Sequence, residues 1–362
     1  MGTPRLDPAT RRRGVAKRRA RRRRLVAGSV GLGVVVLAIA AVTVLAGGKG
    51  GKGGVVATSR RGDSRVSARP REAGPRAIAN TALTVSQTGR LPAPVQDAAA
   101  AAVAPDRMLL MGGIDSGEAS VADILQASPT GAQRIGTLPQ PLHDASASPL
   151  EGAVYLFGGG VISSFAQITQ VHPSGATAPA GRLPTPGSDV ASAAIGGTVY
   201  VVGGYTGAVP LRTILAWRPG APARVVATLP KPLRYAAVAA SGGKLTIAGG
   251  TSGEEASRDI YRFDPSSGSL ARIGLLPHPL THAAAAALGG TVYVFGGREA
   301  SASSQTRRIL AIEPSGEARS AGLLPQALSD LAAVALGESI VLAGGRDRAG
   351  AAQSAILTAK PS

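Results

Sequence analysis

One segment of about 46 residues recurs six times in this chain, and that period limits the folds open to it. A Gly-Gly pair closes an apolar run at Gly112-Gly113, Gly158-Gly159, Gly203-Gly204, Gly249-Gly250, Gly296-Gly297 and Gly344-Gly345, in steps of 46, 45, 46, 47 and 48 residues. A Leu-Pro pair precedes each copy, at Leu91, Leu138, Leu183, Leu229, Leu276 and Leu324. A period of this length, built from short strands and glycine turns, is the signature of a radial or stacked repeat.

Each copy reads as four short strands. In residues 281–325 a small-residue run, HAAAAAL, is followed by Gly289-Gly290, the strand TVYVF, a polar loop, RILAIEP, a turn at Ser315-Gly316 and EARSAGLLP. Turn signals roughly every ten residues between β-branched runs point to an all-β protein. Runs such as Asp97–Val103 carry helix-favouring alanine, but a run this short between Pro and Gly cannot sustain a helix. Alanine suits instead an innermost strand, where six strands converge on an axis. After Gly345 only one strand, SAILTAK, remains, so the sixth copy lacks a fourth. Residues 82–88 resemble a fourth strand with no blade before it. Pairing these ends closes the ring and removes open sheet edges.

A Pro-containing lead-in, a small-residue strand, Gly-Gly, a strand such as VYVFGG and a strand ending in Asp-Pro (Ile260–Pro265) together resemble the kelch family over residues 82–362. The resemblance implies a six-bladed kelch-type β-propeller. The family's usual Tyr in the third strand is matched by Tyr261, its Trp in the fourth strand is missing, and the single Trp217 lies in a third strand.

The net charge of +18 is unevenly placed. Residues 1–24 hold eleven basic side chains and one acid, residues 47–80 hold eight and two, and the 282 residues 81–362 are close to balance at +2. The basic charge therefore flanks one segment, and the body has no nucleic-acid groove by this measure. That segment, residues 25–46, is 22 residues without a charge, long enough to cross a bilayer as a helix. Ten of the fourteen residues Arg11–Arg24 are basic, which places the N-terminus in the cytoplasm and the rest outside. Residues 25–46 are thus expected to be a signal anchor in the cell membrane, after a basic cytoplasmic tail (1–24) and before a Gly/Arg/Ser/Pro linker (47–80) and the propeller (81–362). The competing reading is a signal peptide cleaved after Val44-Leu45-Ala46, which gives a secreted protein. Abundant Ala, Gly and Arg with almost no Asn read as a high-GC bacterial coding bias.

In a propeller the lead-in to each first strand and the loop after each second strand open on one face around the channel. The lead-in positions are Gln96-Asp97, His143-Asp144, Ser188-Asp189, Arg234-Tyr235, Thr281-His282 and Ser329-Asp330; the loops after Gly-Gly add Asp115, Glu118, Tyr205, Glu254, Glu255, Arg298 and Arg346. From these we expect Asp144, Asp189, His282, Asp330, Arg234 and Tyr205 to line a ligand-binding mouth, with Arg298 and Arg346 placed to share one anion. The competing account makes the Asp set structural, each carboxylate bonding local backbone N–H groups.

The chain has no cysteine, which removes disulfides, thiolate nucleophiles and Cys-ligated zinc. It has no phosphate loop of the G-x-x-x-x-G-K type, no H-E-x-x-H and no sialidase-type Asp box. No cofactor, metal or catalytic residue is expected. The reading is a membrane-tethered, extracytoplasmic scaffold that binds a protein or glycan. The alternative, drawn from the kelch resemblance, is an enzyme acting on a sugar or acidic sugar, such as a mutarotase-like propeller.

Overall fold

The structure is a computed structural model that describes residues 82–253, 255–299 and 301–362. The expected tail, apolar span and linker, and Glu254, lie outside the described residues. Every regular element among the described residues is a strand, and no helix there is long and apolar enough to cross a membrane.

The strands form six antiparallel sheets, the blades of a propeller. Blade 3 is representative: Ala191–Ile195, Thr198–Val202, Thr213–Trp217 and Arg224–Thr228 pair in chain order. The first strand of each blade contacts the first strands of both neighbours, so the six Ala-rich runs surround the axis. Blade 6 is built from both ends of the chain. Its strands Ala332–Leu336, Ser339–Ala343 and Gln353–Pro361 are completed by Leu83–Gln96. This closing strand runs from Leu83 opposite Pro361 to Val95 opposite Gln353. It is longer than the expected 82–88 and continues past Leu91-Pro92 to the lead-in of blade 1.

The Gly-Gly pairs latch the blades together. The second glycine's N–H donates to a carbonyl in the next blade's lead-in: Gly113 to Leu142, Gly159 to Gly187, Gly204 to Leu233, Gly250 to Leu280, Gly297 to Leu328 and Gly345 to Val95, all at 2.8–2.9 Å. The first glycine lies in the left-handed region, as at Gly203 (φ +60°), and a Cβ there would run into the Leu233 carbonyl. Only glycine meets both demands.

The hydrophobic core is divided into six clusters, one per gap between blades. One register position in the third strand sets how each gap is filled: Ala127, Val171, Trp217, Phe263, Ile312 and Ala359. Trp217, out of place for the family pattern, fills the gap between blades 2 and 3. Its ring lies 4.9 Å from that of Tyr155 and 5.4 Å from that of Phe157, and Gly181 leaves room for its indole edge. The Leu of every Leu-Pro pair is buried.

Candidate functional site

The second residue of each lead-in, Asp97, Asp144, Asp189, Tyr235, His282 and Asp330, sits in the left-handed region with φ between +53° and +58°. Their backbones form a closed hydrogen-bonded circle around the axis. Asp97 N–H donates to the Asp330 carbonyl (2.9 Å), Asp144 to Asp97 (3.2 Å), Asp189 to Asp144 (2.8 Å), Tyr235 to Asp189 (3.1 Å), His282 to Tyr235 (3.2 Å) and Asp330 to His282 (3.0 Å). The turn that aims each N–H along the circle requires positive φ, which costs a non-glycine residue about 1–2 kcal/mol and is best tolerated by Asp, Asn and His. This accounts for Asp at four positions and His at a fifth. Tyr235 has no such excuse.

With their backbones committed to one another, these six residues line an axial cavity of about 120 Å³. The first lead-in residues and those after Gly-Gly pair beside it on the same face: Gln96 with Ile114, His143 with Gly160, Ser188 with Tyr205, Arg234 with Thr251, Thr281 with Arg298 and Ser329 with Arg346. The structure thus gathers Asp144, Asp189, His282, Asp330, Arg234, Tyr205, Arg298 and Arg346 at one end of the channel, and adds Asp97 and Tyr235. Both additions share the register of the other lead-ins, which is the sequence signal for them.

The carboxylates are not backbone-bonding struts, because the ring's N–H groups go to carbonyls. That task falls to loop acids such as Asp115, whose Oδ1 accepts from the N–H groups of Gly117 (2.8 Å) and Ala119 (2.9 Å). Arg298 and Arg346, which the sequence places at equivalent positions, are engaged differently. Arg298 ion-pairs with Asp330 and donates from Nε to Ser329 Oγ (3.1 Å), whereas Arg346 folds against Gly350 in its own loop. Arg234 sits 2.5 Å from Asp189 Oδ2, out of line for a hydrogen bond, and stacks over the rings of Tyr205 (4.2 Å) and Tyr235 (4.7 Å). Tyr235 reaches across the mouth to donate its hydroxyl to Asp144 Oδ2 (3.2 Å) and stacks on His282 at 3.7 Å.

Crowding shifts the proton balance. Burial, then the Asp330 and Asp144 charges, push the Asp97 carboxyl well above the usual carboxylate range. Burial and the charges of Asp189 and Asp330 do the same to Asp144. Burial also raises the Tyr235 phenol, and it lowers His282 to about 4, leaving the imidazole neutral at pH 7. Among the described residues no group of three or more His, Asp or Glu is arranged to hold a metal ion.

Six blades closed by the two chain ends around a polar axial mouth define a β-propeller of the closed-ring class. The Kelch motif matches residues 186–220 and 232–269. The fold is similar to that of the solved structure of YjhT, with a TM-score of 0.66 and 14% identity over 74% of this chain and 95% of that one. The chain is a six-bladed β-propeller, two of whose repeats match the Kelch motif. No curated protein matches its sequence.

Proposed function

We propose that this chain is a membrane-tethered, extracytoplasmic kelch propeller whose axial mouth binds a polar ligand on a protein or glycan. One observation carries the binding reading. Of the eight buried side-chain nitrogen and oxygen atoms that lack a hydrogen-bond partner among the described residues, six belong to mouth positions, and apart from Asp189 Oδ2, which meets Arg234 as an ion pair, five stay unmet: those of Gln96, Arg234, Thr281, His282 and Arg346. Such atoms are costly to leave unmet. Their concentration beside one cavity supports a ligand that donates and accepts hydrogen bonds. The tether rests on the uncharged span 25–46 and the arginines before it.

The raised Asp97 and Asp144 carboxyls support a second reading, since a buried carboxyl that holds its proton more firmly is suited to act as a general acid. In that reading the mouth acts on a sugar or acidic sugar, and NMR exchange of free sialic acid anomers with the protein present tests it. For the lead reading, the full chain is titrated with monosaccharides, sugar acids and short peptides while its thermal midpoint is followed. Protection by one class, lost in Arg346→Ala, is the expected result, and no protection by any class refutes it. External protease on intact cells should release the propeller by cutting within residues 47–80; a fully protected body refutes the orientation.

A further inference from the structure

We infer that the partner of this propeller is a protein whose docking segment has an apolar centre with basic residues on both sides, and that the segment lies across the loops of blades 1 to 4 beside the mouth. This rests on the reading of the mouth as a binding site and chooses protein over glycan as what it meets. Six large apolar side chains are well exposed among the described residues. Three of them, Val225, Leu275 and Leu323, are spread one each over the fourth strands of blades 3, 4 and 5, as is ordinary on a protein surface. The other three crowd onto two loops of the mouth face: Val161 and Ile162 in blade 2, Val209 in blade 3. Ile162 is 98% exposed. The two loops touch. Ser164 Oγ, at the end of the blade 2 loop, donates to the carbonyl of Tyr205, which opens the blade 3 loop (2.8 Å), and lies 3.1 Å from Ser188 Oγ.

Both flanks of this apolar pair carry the same sign of charge. On one side the blade 1 loop joins blade 2 through Ser120 Oγ and His143 Nδ1 (2.8 Å) and presents Glu118. On the other side the blade 4 loop begins at Thr251 and presents Glu255. Arg234, whose backbone pairs with Thr251, ties that loop to blade 3 by lying 4.2 Å over the Tyr205 ring. Both glutamates are exposed, and the ion-paired glutamates among the described residues are others, Glu299, Glu313 and Glu317. Residues 114–120, 160–164, 205–210 and 251–256 contain no Lys or Arg, whereas the loops of blades 5 and 6 hold Arg298, Arg346 and Arg348. In loop order the arc runs acid, apolar, apolar, acid. Its complement is basic, apolar, basic. Covering Val161, Ile162 and Val209 supplies affinity, and the two glutamates set register and speed of encounter. A glycan suits this arc less well. Sugar rings pack on open aromatic faces, and the one aromatic ring of the four loops, Tyr205, is already stacked under Arg234.

The test is fluorescence-anisotropy titration of the purified full chain with a labelled peptide, Lys-Lys-Val-Leu-Val-Leu-Lys-Lys. One control peptide carries glutamates in place of the lysines, and another carries alternating glycine and serine in place of the apolar centre. The first peptide is expected to bind at least about tenfold more tightly than either control. Ile162→Ser combined with Val209→Ser should weaken it by about tenfold. Glu118→Asn combined with Glu255→Gln should weaken it by about threefold at low salt, a loss that shrinks as salt is raised. Asn suits the left-handed backbone at position 118 (φ +64°). All four side chains are exposed, so the thermal midpoint should hold; should a double variant unfold, Ile162→Ser alone, at a loop tip, carries the same reading. Equal binding of the three peptides, or binding indifferent to these substitutions, overturns the inference. Protection by a sugar without binding of any peptide overturns it too but leaves the broader mouth reading standing; binding of no peptide and no sugar defeats both.

Discussion

The gaps between blades and the axis face the same six-fold repetition and resolve it differently. Each gap is filled by buried apolar side chains, and side-chain size at one register position varies from Ala359 to Trp217 without disturbing the ring. The axis keeps one backbone conformation six times over while its side chains differ in charge. Apolar packing tolerates variation because a neighbour can fill the space. The backbone circle cannot vary, since losing one N–H breaks its closure. Variation at the axis is thus confined to side chains, where it alters chemistry and leaves the architecture alone.

The largest test of this contrast is Trp217→Ala, which removes the biggest fully buried side chain. It should cost about 3–5 kcal/mol in denaturant unfolding of the full chain. A loss below about 1 kcal/mol would show that the gaps are not where stability resides. Next in size is a pH effect at the axis. Burial lowers His282 to about 4 in the folded protein from the ordinary histidine value of 6.5, so the unfolded chain binds the extra proton between those values. Stability from a neutral His282 is present above about pH 6.5 and lost as pH falls towards 4, by about 3 kcal/mol. Asp97 and Asp144 act in the opposite sense. Their raised folded values favour the folded state at low pH, and that contribution is lost as pH rises through those values. His282→Asn should therefore lose less stability than the wild type between pH 7 and 4, and an unchanged profile refutes the assignment. The smallest test compares two ring carboxylates. Asp330→Asn leaves Arg298 without its ion pair and should cost about 2–3 kcal/mol at pH 7. Asp97→Asn relieves like charges and should raise the thermal midpoint. The same sign for both would show that arginine pairing does not divide the ring.

The period made much of this legible in the sequence. The Gly-Gly and Leu-Pro spacings give the blades, and the lone last strand with residues 82–88 gives the closure. The lead-in register places every ring residue at the mouth, including Asp97 and Tyr235. What the spacing could not convey is which blade a side chain reaches for. Arg298 and Arg346 look equivalent in sequence, yet one pairs with Asp330 of the next blade and the other lies against Gly350 of its own loop. Nor does a pattern of Asp reveal positive φ: the same residues would serve as local caps in another turn. The proton balance depends on distances across the ring, as from Tyr235 to Asp144, between residues 91 apart in the chain.

The closing strand also sets an order of events in synthesis. Leu83 pairs with Pro361, so the first strand of the body to be made is the last to find its partner. At about 5–20 residues per second, the wait between them is on the order of tens of seconds. Through that time residues 83–96 must stay soluble alone while five blades assemble. Their composition fits the delay: Gln87, Arg90, Pro92 and Pro94 interrupt any run that would pair with a stray edge, and seven of the fourteen side chains remain exposed even in the finished ring.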